Sequence, residues 1–106
     1  MISFVYLDIK LRVIKKDIYE GDSPHNINLP MKDIVKNAIN YNASCIVIAH
    51  NHPSNDLTPS LTDMEQTYKL KNILDNIGII LLEHLIIGIN GYYSFNDYGL
   101  LKDIND

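Results

Sequence analysis

A single cysteine, Cys45, stands among 106 residues. A disulfide framework and a zinc cluster built on several cysteines are therefore excluded, and a reducing, cytoplasmic setting is expected. No apolar run approaches the ~18–20 residues of a membrane-spanning helix. No basic stretch followed by an apolar one opens the chain, so no membrane partner is expected. Basic residues are scarce as well: nine Lys and Arg against thirteen Asp and Glu give a net charge of −4. The longest basic cluster is Lys15-Lys16. Nucleic-acid phosphates are gripped by basic patches, so the nucleic-acid footprint is weak. Repeats, low-complexity tracts and linkers are missing too. What remains is ample apolar content, 46% of the chain, enough for the core of one globular domain. Isoleucine, asparagine and lysine occur 17, 12 and 8 times; we read this as compositional bias, and scattered asparagines are not taken as site residues.

The apolar pattern predicts seven elements. Ile2–Leu7 is β-branched and aromatic and reads as a strand closed by Asp8. Leu11 to about Tyr19 reads as a second strand, interrupted by Lys15, Lys16 and Asp17. Gly21-Asp22-Ser23-Pro24 begins a loop. Pro30 suits a first helical turn, and Met31, Ile34, Val35, Ala38 and Ile39 follow at helical spacing. Cys45–Ala49 is a continuous apolar run, as expected of a central strand covered on both faces. Asn51 to Pro59 is loop. A second helix runs from Ser60 or Thr62 to about Asn76, with Leu70, Ile73, Leu74 and Ile77 on one face and Gly78 as its stop. Ile79–Ile87 is a strand that Asn90-Gly91 turns into a hairpin with Tyr92–Phe95. The tail from Asn96 forms a helical turn or a frayed end. The order predicts an α/β fold with helices on a mixed sheet. The most buried residues should be Ile34, Val35, Ile46, Val47, Ile48, Leu70, Ile73, Leu74 and Ile86.

The chemistry concentrates after the central strand, in Ala49-His50-Asn51-His52-Pro53-Ser54 and Ser60-Leu61-Thr62-Asp63. Residues two apart on a strand share a face, so His50 and His52 project together. Two imidazoles and a carboxylate make a zinc site with one open position, and Asp63 opens the helix that the loop folds back. Bound zinc lowers the pKa of a water to roughly 7, and Ser60 stands where it can donate to an oxyanion. Ser60 and Asp63 equally have the spacing of a helix capping box, which Thr62 and Glu65 repeat one register later. From the residues alone, both readings stand.

The spacing His50-x-His52, seven residues, Ser60, two residues, Asp63 is similar at every step to the JAMM signature of JAB/MPN metalloproteins. A-H-N-H-P-S, T-P-S-x-x-D and G-I-x-L-L-x-H-x-I-I-G (Gly78 to Gly88) resemble the RadC family. That likeness runs from the first strand to Phe95 and the Tyr98-Gly99-Leu100 tail. The resemblance implies a cytidine-deaminase-like fold, a curved mixed sheet sandwiched by helices. It implies a single JAB domain over residues 1–106, without the helix-hairpin-helix region that usually precedes it. It also implies one Zn2+ held by His50, His52 and Asp63, with Ser60 supporting the reaction.

The family pattern further expects a general-base glutamate in the second strand, and here the sequence departs from it. Counting back from Gly21 puts Lys16 at that position; counting back from His50 puts Asp17 there. Glu20 is the only glutamate nearby. Asp17 is the first candidate base and Glu20 the second, since a misplacement of ~1 Å can cost ~100-fold in rate.

His84 matches a histidine recurring in RadC sequences and reads either as a support for a ligand or as a hydrogen-bonded histidine of the sheet. His25 reads as exposed and inert, Glu65 as a capping residue, and Cys45 as a small buried hydrophobe. The tyrosines, Tyr92-Tyr93 among them, read as core or partner contacts, since no basic residues surround them for nucleic-acid stacking. Two functions follow. One is a zinc metallopeptidase-type hydrolase acting on an amide or isopeptide bond of an unknown protein or peptide substrate. The other is a non-catalytic JAB module acting in assembly or, by family association, in DNA repair. A purely structural zinc site is disfavoured, because three ligands leave a position open. Homo-oligomerisation is left open by the residues.

Overall fold

The computed structural model describes residues 1–20, 27–52 and 55–102. His25, the Gly21–Pro24 loop and Pro53-Ser54 lie outside the described residues. The elements follow in the order β1 (Ile2–Leu7), β2 (Val13–Tyr19), α1 (Met31–Asn40), β3 (Cys45–Asn51), α2 (Leu61–Asn76), β4 (Ile80–Ile87) and β5 (Tyr92–Ser94). The strands form one mixed sheet in the order β2-β1-β3-β4-β5. Only the β3–β4 pair is parallel, and α2 is its crossover, as a parallel pair requires. The α/β class with a mixed sheet and a central β3 is the architecture expected.

Register decides which side chains share a face. Ile2, Phe4 and Tyr6 of β1 stand opposite His50, Ile48 and Ile46 of β3, and Ile48 and His50 stand opposite His84 and Ile86 of β4. These residues are all buried, and those other than the two histidines join Ile34 and Ala38 of α1 and Leu70 and Leu74 of α2 in one apolar core. Both helices therefore lie against this face: Asn37 of α1 bonds Asp17 of β2, which stands opposite Phe4, and Thr67 of α2 bonds His84. The other face carries Val47 and Ala49, half-buried, and Ile18, Ile80 and Ile87, exposed. Among the described residues the helical cover is thus one layer deep. Val47, expected among the most buried residues, points to the thinner side, and Val35 and Ile73 flank their helices' buried stripes and are half-buried.

Several boundaries move for local reasons. The second strand starts at Val13, not Leu11, because Leu11 adopts φ +62 and the Asp8 carboxylate accepts from Lys10 N and Arg12 N at 2.9 Å each, pinning the turn. Pro30 is the N-cap of α1 rather than part of its first turn. Gly78, at φ +75, ends α2, and Ile79 N returns to Leu74 O at 2.9 Å, the bond of a Schellman-type stop. That bond takes Ile79 out of β4. The hairpin closes through Gly88 N to Gly91 O at 2.9 Å. After Ser94 the chain turns back without a regular helix and buries Phe95 and Leu101 in the core.

Candidate metal centre

The central strand ends by delivering two imidazoles to the helix-covered side. His50 is paired opposite Ile2 and Ile86. His52 continues the line, its N–H donating to Ile87 O at 2.9 Å. Both side chains are buried, and their ring centroids are 4.8 Å apart. The described loop residues then bring the chain to Ser60, the N-cap of α2.

The capping box is present, formed by Ser60 and Asp63 and not by Thr62 and Glu65. Ser60 Oγ accepts from Asp63 N at 2.9 Å, and Asp63 Oδ2 accepts from Ser60 N at 3.0 Å. Asp63 is fully buried, and its Oδ1 also accepts from Ile27 N at 3.3 Å. The cap turns the same carboxylate toward the histidines. Asp63 Oδ2 lies 3.4 Å from His52 Nε2, and Oδ1 lies 4.0 Å from His50 Nε2. Cap and candidate ligand are one residue in two capacities.

The donor set suits a cation. One candidate ligand atom from each of His50, His52 and Asp63 lies within 4.8 Å of the others. Ligands ~2.0–2.1 Å from a tetrahedral centre are themselves about 3.3 Å apart, so small adjustments would complete the geometry. His50 Nε2 is buried with no hydrogen-bond partner, the kind of orphan that folded proteins rarely leave without a ligand. A cation would satisfy it. His52 Nδ1 donates to the main-chain oxygen of Asp56 at 3.1 Å, since a carbonyl only accepts. In the neutral ring the lone pair is then on Nε2, facing Asp63.

Burial shapes the electrostatics. It pushes His50 down to about 4, against the opposing pull of the Asp63 carboxylate. It pushes His84 down to about 3, helped by the imidazoles of His50 and His52. Both rings are thereby neutral at pH 7, the form in which imidazole binds metal. Burial also raises the Cys45 thiol, which leaves it a poor nucleophile.

His84 is fully buried behind His50. Its Nε2 is 2.9 Å from His50 Nδ1, its Nδ1 is 2.8 Å from Thr67 Oγ1, and its ring stacks on Phe95 at 4.4 Å. Thr67 was not singled out from the sequence. Its signal was a polar residue on the buried stripe Asp63, Thr67, Leu70, Leu74 of α2. Asp56 was also missed, because it contributes a main-chain atom, which side-chain patterns do not show.

The two candidate bases are placed differently. Asp17 Oδ2 accepts from Asn37 Nδ2 at 3.2 Å. It stands two residues along β2 from Tyr19, the residue level with Ile2 and His50, and β1 lies between. Glu20 follows Tyr19 directly and is exposed. Lys16 is exposed on β2 and stands opposite Val5, in a row that alternates away from the histidines' face.

Comparison with known proteins gives a consistent picture. A family model described as the RadC-like JAB domain matches residues 1–100. The chain is 47% identical over 97 residues to a UPF0758 protein of Fusobacterium nucleatum, covering 92% of this chain and 42% of that protein. It is 38% identical over 102 residues to a UPF0758 protein of Clostridium botulinum, covering 95% of this chain and 44% of the relative. A Streptococcus thermophilus UPF0758 protein is 38% identical over 94 residues, covering 88% and 41%. The chain spans less than half the length of these curated relatives. No helix among the described residues is long and apolar enough to cross a membrane.

Proposed function

The chain belongs to the RadC-like JAB domain family, and from that premise we propose that His50, His52 and Asp63 hold one zinc ion in a hydrolase of metallopeptidase type. The observation that carries the reading is the convergence of the three buried donors, with His50 Nε2 left unsatisfied between them. Two imidazole nitrogens and one carboxylate oxygen are a zinc-type donor set with a fourth position open to substrate. Such an ion would polarise a carbonyl and lower the pKa of a water to roughly 7.

The chain's own residues supply the remaining parts. Ser60 holds the Asp63 carboxylate through its main-chain N–H, while its Oγ accepts from Asp63 N. The hydroxyl proton of Ser60 stays available to donate to the oxygen of a scissile amide. A carboxylate must carry the proton to the leaving nitrogen. Asp17, opposite Phe4 on the histidines' face of β2 and held at one oxygen by Asn37, is the first candidate, and Glu20, immediately beyond β2, is the second. The substrate class is a protein or peptide amide or isopeptide bond.

A second reading is a metal-binding module without hydrolytic activity. It is favoured by one observation: among the described residues, Asp63 is the only carboxylate in the three-residue cluster. Metal analysis of freshly prepared protein tests the shared part. One zinc per chain is expected, falling at least tenfold in occupancy for His52→Ala; equal zinc in both overturns the site. Hydrolysis of a peptide pool by zinc-loaded protein separates the readings. Zinc-dependent cleavage that Asp17→Asn or Glu20→Gln abolishes supports the hydrolase, and stoichiometric zinc with no cleavage supports the module.

A further inference from the structure

The imidazole that faces His50 from behind has a hydrogen-bond arrangement with only one consistent direction. Thr67 Oγ1 lies 2.7 Å from the main-chain oxygen of Asp63. A carbonyl cannot donate, so the single hydroxyl proton of Thr67 is committed there. Toward His84 Nδ1, 2.8 Å away, the hydroxyl can only accept, so His84 carries its proton on Nδ1. A neutral imidazole has one N–H, and the fully buried His84 has a hydroxyl and an imidazole at its two nitrogens, with no carboxylate to balance a second proton. His84 Nε2 is therefore an acceptor. Its partner at 2.9 Å, His50 Nδ1, must be the donor, and the His50 lone pair is on Nε2. Reversing any member would set two lone pairs, or two protons, against each other, and among the described residues the His84 nitrogens face only Thr67 and His50.

We infer that Thr67 and His84 are positioning residues that lock His50 in its Nδ1–H tautomer and aim the Nε2 lone pair at the cation. The inference rests on reading the three-residue cluster as a metal site. The relay starts on the main-chain oxygen of Asp63 and ends on the imidazole facing the Asp63 carboxylate, 4.0 Å away. One residue of α2 thus anchors both ends of the arrangement. The two histidines are held with Nδ1 as donor by independent means: His52 through the Asp56 carbonyl, His50 through a side-chain chain of three. Phe95, stacked on His84 at 4.4 Å with planes 10° apart, fixes the ring's plane and leaves both nitrogens in line.

Nitrogen-15 NMR of the histidine rings in metal-free wild-type protein at pH 7.5 reads the tautomers directly and needs no variant. Nδ1 of His50 and of His84 should be the protonated nitrogen in each ring. Finding the proton on Nε2 of either ring overturns the inference, whether or not zinc binds. Thr67→Val removes the acceptor for His84 Nδ1–H, so the proton of His50 should shift to Nε2. Zinc affinity, measured by chelator competition, should then fall 10- to 100-fold, the usual cost of losing a partner behind a metal-bound histidine. Thr67→Ser keeps the hydroxyl and should restore both the tautomer and the affinity. Thr67→Val with unchanged tautomer and affinity sinks the relay. Wild-type protein that binds no zinc, yet shows the Nδ1–H rings, sinks the metal reading and leaves the relay standing.

Discussion

Asp63 takes several parts in the domain's organisation. It caps α2, ties in Ile27 and receives Thr67 on its main-chain oxygen. Its carboxylate also faces both histidines. Cap and ligand duties can be separated by substitution. Ser60→Ala removes the cap and should cost about 1 kcal/mol of stability, read as a lower urea midpoint, while zinc still binds. Asp63→Asn keeps an acceptor for Ser60 N but loses the anionic donor, so zinc affinity should fall far more than the midpoint. The buried rings add a pH dependence in metal-free protein. His50 and His84, ordinarily near 6.5, are pushed to about 4 and about 3. Below 6.5 the unfolded chain takes up protons that the folded chain refuses. The contribution of both rings is therefore present above 6.5 and should be lost progressively as the pH falls from there toward 5. Urea titrations in chelator at pH 7.5 and pH 5 check this.

At the scale of elements, what the sequence reveals depends on how locally each feature is determined. The candidate ligands fall in one contiguous stretch, two at the end of a strand and one in the next helix's first turn, so strand alternation and the capping pattern suffice to bring them together. Ser60 and Gly78 bracket α2 for the same reason: a cap and a stop are read from single residues. The Thr67–His84 contact joins a helix to a strand seventeen positions on, and no local pattern encodes it. Val47 is instructive in another way. A continuous apolar run announces a central strand, but it does not say how well each face is covered. Leu74→Ala, on the helix-covered side, should cost about 3 kcal/mol, within the range for buried leucines. Val47→Ala should cost about 1 kcal/mol, since fewer neighbours lose contact. Chemical denaturation of both variants tests whether the two faces differ as described. Asp17 shows the same limit: a position counted along the chain says nothing of Asn37, which donates to one oxygen of this carboxylate in the folded domain.

On the scale of the whole molecule, the sheet has two edges among the described residues, β2 and β5. β5 is three residues long and offers little backbone to a stranger. β2 is seven residues long and largely exposed, with Lys15 and Lys16 at its middle, pointing to opposite faces. As an interruption in an otherwise apolar strand the pair weakens the reading of β2; on an unpaired edge it has a use. A second sheet adding itself to β2 would have to strip water from two neighbouring ammonium groups, whichever face it met. Charge at this edge therefore governs colloidal behaviour. Lys15→Val with Lys16→Val should leave the zinc stoichiometry unchanged, yet raise static light scattering with concentration, as edges pair and the chain begins to associate.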